Sequence, residues 1–177
     1  MRLSTLLPAL ALVVAPAAVA GDDTLVSDAH AVIQTFKKKD PHIDKFFGSA
    51  AGYVVFPTIA KGGFVVGGAG GDGVLFVGGH PVGKSSMGQA SVGFQLGGQT
   101  YSEIIFFENA STLSDFKKGN FALAAQASAV ALSAGAAATA NYENGVAIFT
   151  ATKTGLMYEA SVGGQKFGFQ PFGAHGK

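Results

Sequence analysis

Residues 52–79, GYVVFPTIAKGGFVVGGAGGDGVLFVGG, hold 10 of the chain's 26 glycines in 28 positions, interleaved with three apolar bursts. The bursts Tyr53–Phe56, Phe64–Val66 and Val74–Val77 are β-branched and aromatic and are bounded by turn formers, so each predicts a short strand, apolar on both faces. A sheet buried on both sides follows. Between the last two bursts, Gly67–Gly73 offers a turn or bulge with positive φ at nearly every position, and the density of glycine predicts close backbone approach.

The order of blocks goes further. An aromatic strand ending in Phe56-Pro57 is followed by Ala60-Lys61-Gly62-Gly63-Phe64 and then by Gly67–Gly73 leading into Val74-Leu75. Downstream stand Ala90–Gln99, Glu103–Phe107, Phe116–Ala129, Lys153–Leu156 and Ser161–Gly164. Together these resemble the SYLF domain family, a lipid-binding domain of eukaryotic adaptor proteins and bacterial exported proteins, whose yeast members also bind actin. The resemblance implies peripheral binding of anionic phospholipid headgroups, phosphoinositides among them in the eukaryotic members, without chemical turnover. Actin is not an expected partner, because the yeast activity depends on a basic element outside the common core.

The first 20 residues read as a signal peptide: Arg2, an apolar stretch Leu6–Val14, and a small-x-small cleavage site at Ala18-Val19-Ala20. The expected location is therefore outside the cytoplasm, periplasmic or secreted, with peripheral contact to a membrane. Cleavage leaves residues 21–177 as a single SYLF-like domain of ordinary size. With no cysteine there is neither a lipoprotein anchor nor a disulfide, and packing must supply the stability.

Without Arg2, eleven lysines face eleven acidic residues, and neither a basic excess nor a reading motif points to nucleic acid. Local charge is uneven, with Lys37-Lys38-Lys39 and Lys117-Lys118 concentrating five lysines at two spots. Those five and Lys61, which stands in the matching Ala-Lys-Gly-Gly block, are the candidate lipid-binding residues. Each could contribute roughly 1 kcal/mol at an anionic surface.

An amphipathic helix is predicted over Thr24–Lys39, with Leu25, Ala29, Val32, Ile33 and Phe36 on one face and three lysines at its end. A second short helix should start at Asp40-Pro41, carry Ile43, Phe46 and Phe47 inward, and stop at Gly48. After Gly79 the pattern predicts strands at 89–96, 100–108, 121–132, 136–142, 146–153, 156–162 and 166–170, joined as meanders through turns at Gly97-Gly98, Asn144-Gly145, Thr154-Gly155 and Gly163-Gly164. Asn109–Gly119 interrupts them as an inserted helix holding Leu113 and Phe116. The fold class is α+β: a predominantly antiparallel sheet, sandwich or barrel-like, with N-terminal amphipathic helices and one short inserted helix. The uncharged stretch Phe121–Tyr142 is mostly alanine with polar interruptions, too weakly apolar to span a bilayer, and predicts instead the close approach of two sheet layers or of a helix and a sheet.

Catalytic and metal motifs do not emerge. There is no GxSxG, no HExxH and no Walker loop, since Gly73 leads into a strand. His30, His42, His80 and His175 are scattered, so neither a metal nor a cofactor is expected. Glu103 stands beside an apolar run, where a buried carboxylate must be paired or protonated; structural pairing, for instance with a lysine, is the expectation. The rival readings are a small outer-membrane β-barrel and a periplasmic protein-interaction scaffold. Consecutive apolar residues in the bursts and the helical N-terminal region weigh against the barrel.

Overall fold

The computed structural model describes residues 17–63, 66–92, 98–124, 127–154 and 160–173. Helix α1 (Ala17–Lys39) leads through a 3₁₀ turn (Pro41–Ile43) into α2 (Asp44–Ser49). Then come β1 (Gly52–Gly63), β2 (Val66–Val77), β3 (His80–Val92), β4 (Gln99–Phe107), α3 (Ala110–Lys117), β5 (Ser128–Ala131), α4 (Ala136–Thr139), β6 (Val146–Thr154), β7 (Ala160–Ser161) and β8 (Lys166–Pro171). The class is α+β, as expected. The eight strands lie in the order β7-β5-β6-β4-β1-β2-β3-β8, antiparallel at every pairing except β5 with β6.

Strand alternation gives the sheet two buried faces. On one face Val54, Phe56, Leu75, Ile105, Phe107 and Ile148 form a core with Leu113 and Phe116 of α3. On the other, their chain neighbours Tyr53, Val55, Val74, Phe76, Ile104, Phe106 and Phe149 pack under Ala29, Val32, Ile33 and Phe36 of α1, together with Phe46 of α2. The end strands β7 and β8 are joined by only residues 162–165, a span of at most about 17 Å. The sheet therefore coils until its two edges nearly meet, with the first core inside the curl and the helices α1, α2 and α4 outside it.

Why glycine fills β2 is now clear, and it differs from the turn expected there. Among the described residues of Gly67–Gly73 none has positive φ; they pair with β3 in unbroken register from Val66 to Leu75. A Cβ at Gly73 would stand 2.6 Å from the Phe56 ring and from the Val55 carbonyl oxygen, and one at Gly71 would be 2.5 Å from the Thr58 carbonyl oxygen. Absence of side chains lets the Phe56 ring lie directly on β2 where β1 bulges. The positive-φ turn sits at Gly78-Gly79 (φ 60° and 79°), which closes the β2–β3 hairpin. Pro57 occupies the bulge of β1, where ladder pairing is interrupted on both sides, and its carbonyl accepts a hydrogen bond from Ser102 Oγ (2.7 Å).

Other expectations shift. The burst Phe64–Val66 falls at the β1–β2 connection, of which Val66 is described. A meander holds only for β1, β2 and β3; β4 returns to the far side of β1, so β3 and β4 do not pair through Gly97-Gly98 but flank the β1–β2 hairpin. Gly97 lies outside the described residues, as does Gly155. The strand expected over 121–132 shortens to β5, and 136–142 holds the helix α4 rather than a strand, because its alanines favour helix once Gly135 (φ 82°) turns the chain. Helix α1 starts seven residues earlier than predicted, since the alanines ahead of Thr24 propagate it. Asn109 caps α3 by accepting from Thr112 N–H (3.0 Å), and Gly119 (φ 72°) ends it, as read from the sequence.

Candidate functional site

The six candidate lysines divide between layers. Lys37 is half-buried, its Nζ 2.7 Å from Asp44 and 4.6 Å above the Phe47 ring, which ties the end of α1 to α2. Lys38 and Lys39 are exposed on the same terminal turn, and neither forms an ion pair among the described residues. Lys45, which sequence reasoning missed, is exposed on α2; its Nζ donates to the carbonyls of Ala138 (3.0 Å) and Ala140 (2.8 Å) and lies over Phe46. No sequence signal pointed to it, because it is a single lysine outside the two runs. Lys117 and Lys118 are exposed at the end of α3 and form no ion pair among the described residues, and Leu113 and Phe116 of that helix pack on the opposite face of the sheet. Lys61 is half-buried in β1, paired with Ala69 and Gln99, eight residues or roughly 26 Å along the strand from Tyr53. The fold thus groups Lys37, Lys38, Lys39 and Lys45 on the outer helical layer and sets the other candidates elsewhere.

Among the described residues two carboxyls are fully buried. Asp40 caps the 3₁₀ turn: its Oδ1 accepts from His42 N–H (3.1 Å) and lies 2.9 Å from His42 Nδ1, while Oδ2 accepts from Ala137 N–H (2.7 Å). Burial works to raise its pKa, yet these hydrogen bonds, with a further backbone one from Gly135, outweigh that and hold it below the usual aspartate value. Asp40 thereby anchors α4 to the end of α1.

Glu103 lies inside the curl, opposite Phe56 on one side and Thr150 on the other. It is paired, as expected, but with the Gln165 amide rather than a lysine: Gln165 Nε2 donates to Oε2 at 3.2 Å. Burial pushes its pKa up to about 8, which the Gln165 hydrogen bond only partly offsets. The neighbouring Tyr101 hydroxyl is also raised, by burial first and then by the Glu103 charge.

In the alanine-rich stretch after α3, Ala137 of α4 is fully buried in the outer core, a close approach of helix and sheet. With Val146 and Ile148 of β6, residues Phe121, Leu123, Ala127 and Ala129 line a groove of about 380 Å³, rimmed by Asn141 and Asn144. No group of three or more His, Asp or Glu side chains suited to a metal occurs among the described residues. Likewise, no described helix is long and apolar enough to cross a membrane.

Residues 88–170 match the family model Ysc84, described as Las17-binding protein actin regulator, the model of the SYLF domain. That stretch of the chain is similar to the SYLF domain. SYLF domains are binding domains, and nothing in the buried carboxyls or the groove assembles a nucleophile with a base. No curated protein matches the chain. The matched stretch begins inside β3 and ends inside β8. The hairpin β1–β2 precedes it in sequence yet sits between β4 and β3 in the sheet, so the strands of the matched stretch form one sheet only with the glycine-rich segment between them.

Proposed function

We propose that this SYLF domain binds anionic phospholipid surfaces peripherally, through lysines of the outer helical layer. The observation that carries the reading is the pair Lys38-Lys39, exposed at the end of α1 and without ion pairs among the described residues, in a chain similar over residues 88–170 to a lipid- and actin-binding family. Lys37 and Lys45 are engaged with Asp44 and with backbone carbonyls, so they orient the patch, and Lys38 and Lys39 supply its free charge. Lys117 and Lys118 offer a second, separate contact from α3, and Lys61 a third. Each free lysine should contribute about 1 kcal/mol, roughly fivefold in affinity.

The helical cover over the outer face disfavours the outer-membrane barrel, which needs that face against lipid. Export remains part of the proposal. Cleavage after Ala20 would remove the first turn of α1 and leave Asp22 and Asp23 in the new first turn, where they favour the helix dipole.

Co-sedimentation of residues 21–177 with anionic and zwitterionic vesicles at low and high salt tests the reading. Binding should be confined to anionic vesicles, fall with salt, and drop about 25-fold in the double variant Lys38→Gln, Lys39→Gln. Equal binding to both vesicle types, or none, would refute it. A second reading, contact with an actin-regulating protein, rests on the family description and predicts binding without vesicles.

A further inference from the structure

We propose that Glu103 and Gln165 form a proton-dependent latch. In it the neutral Glu103 carboxyl donates through Oε1 to Gln165 Oε1 while Gln165 Nε2–H donates to Glu103 Oε2, and the pair holds residues 162–165 across the mouth of the coiled sheet.

The two side chains leave a specific deficit. Glu103 Oε1 and Gln165 Oε1 are both buried and both lack a hydrogen-bond partner, although the other half of each group is engaged in the 3.2 Å contact. Two buried acceptors left open on one contacting pair cost free energy that native interiors seldom tolerate. A single proton on Glu103 Oε1 converts one acceptor into a donor and closes a two-bond ring of the kind carboxylic acids make with amides. Among the described residues no cation stands in for it. Phe56 and Thr150 opposite Glu103 do not titrate, Tyr101 is the titratable group whose charge couples to it and whose hydroxyl also meets the Gln165 side chain, and Lys166, next to Gln165, is exposed. Burial favours the same neutral form.

The location gives the proton a mechanical consequence. Gln165 lies in the segment that joins the two edge strands β7 and β8, and its carbonyl accepts from Leu123 N–H (3.0 Å), while Gly164 N–H donates to the Leu123 carbonyl (3.0 Å). Leu123 in turn lines the 380 Å³ groove. Loss of the Glu103 proton leaves a buried carboxylate with a single donor, and that charge is relieved when water reaches it past the strap. Alkaline pH therefore loosens 162–165 and the adjoining wall of the groove before the helical layer gives way.

Hydrogen exchange at the Leu123 and Gly164 amides, corrected for intrinsic rates, tests the latch in the wild type and in Glu103→Gln at pH 6 and pH 9. The amide variant can make both bonds of the ring at either pH. The wild type should lose about tenfold or more of its protection at pH 9, and the variant should keep it. The carboxyl carbon-13 shift of Glu103 in the wild type should be that of a neutral acid at pH 7. An ionised shift at pH 7 overturns the proposal, as does a parallel loss of protection in both proteins. So does stabilisation of the wild type, but not the variant, by added sodium, potassium or calcium, which would make the site one for a cation. If the variant does not fold, the wild-type carboxyl titration decides alone.

Discussion

Asp40 in the outer helical layer and Glu103 inside the curl are equally buried carboxyls, yet their surroundings drive their protonation in opposite directions. Asp40 receives N–H donors from His42, Ala137 and Gly135, enough to replace the water it lost. Glu103 receives one donor, from a side-chain amide, with phenylalanine and threonine across the ladder. Burial alone does not fix charge; the number of donors aimed at the group does. The outer layer can supply them because its short helices end and begin beside Asp40, exposing unpaired backbone N–H groups. Within the sheet the ladder consumes those groups, and Glu103 has to take a proton instead.

The contrast between the faces can be broken most forcefully at adjacent residues of β4. Phe106 faces outward among Phe46, Tyr53 and Phe149, and Phe107 faces inward against Phe116 and Phe121. Truncating either to alanine should cost about 3–5 kcal/mol in urea unfolding, since both are fully buried. A marked difference between the two would show that one face carries the stability.

Glu103→Gln sharpens the comparison through pH. The native pKa is raised to about 8 from 4.5, so the native state holds the proton more tightly than the unfolded chain. That contribution is complete below about pH 4.5 and is lost as pH rises through about 8. The wild type should lose stability across this window, and the glutamine variant should not. Their gap should grow to an order of 4 kcal/mol above pH 8, read from denaturant midpoints at pH 5, 7 and 9.

Gly73→Ala tests the interior from the strand side. Its Cβ would meet the Phe56 ring and a β1 carbonyl at 2.6 Å, so the variant should lose about 1–3 kcal/mol while keeping its helical circular dichroism. Asp40→Asn should have the smallest effect, a melting temperature lowered by several degrees near neutral pH. The sign of its pH dependence is opposite to that of Glu103: a depressed carboxylate stabilises above the unfolded value of 3.8 and loses that contribution as pH falls through the lower folded value. The asparagine variant should therefore flatten the acid limb of the melting curve and leave the alkaline limb unchanged.

Much of this was legible in the chain. Apolar bursts announced strands buried on both faces, the caps at Asp40 and Asn109 fixed where helices begin, and the ordered blocks from Phe56 to Gly164 carried the family resemblance. The basic runs and the carboxyl at 103 were visible too, but as residues without partners. What residues 67–73 do was misread, because glycine permits a turn and equally permits an aromatic ring to lie on a flat strand, and only the neighbour decides. Alternation along β1 and β4 and the positions of the helix starts are local properties, and the sequence by itself determined them. The order of the strands, the return of β4 to β1, the separation of Lys38-Lys39 from Lys117-Lys118 and the meeting of Glu103 with Gln165 were decided by tertiary structure. Each depends on which distant segments the coiling of the sheet brings together, and no local pattern of residues encodes that.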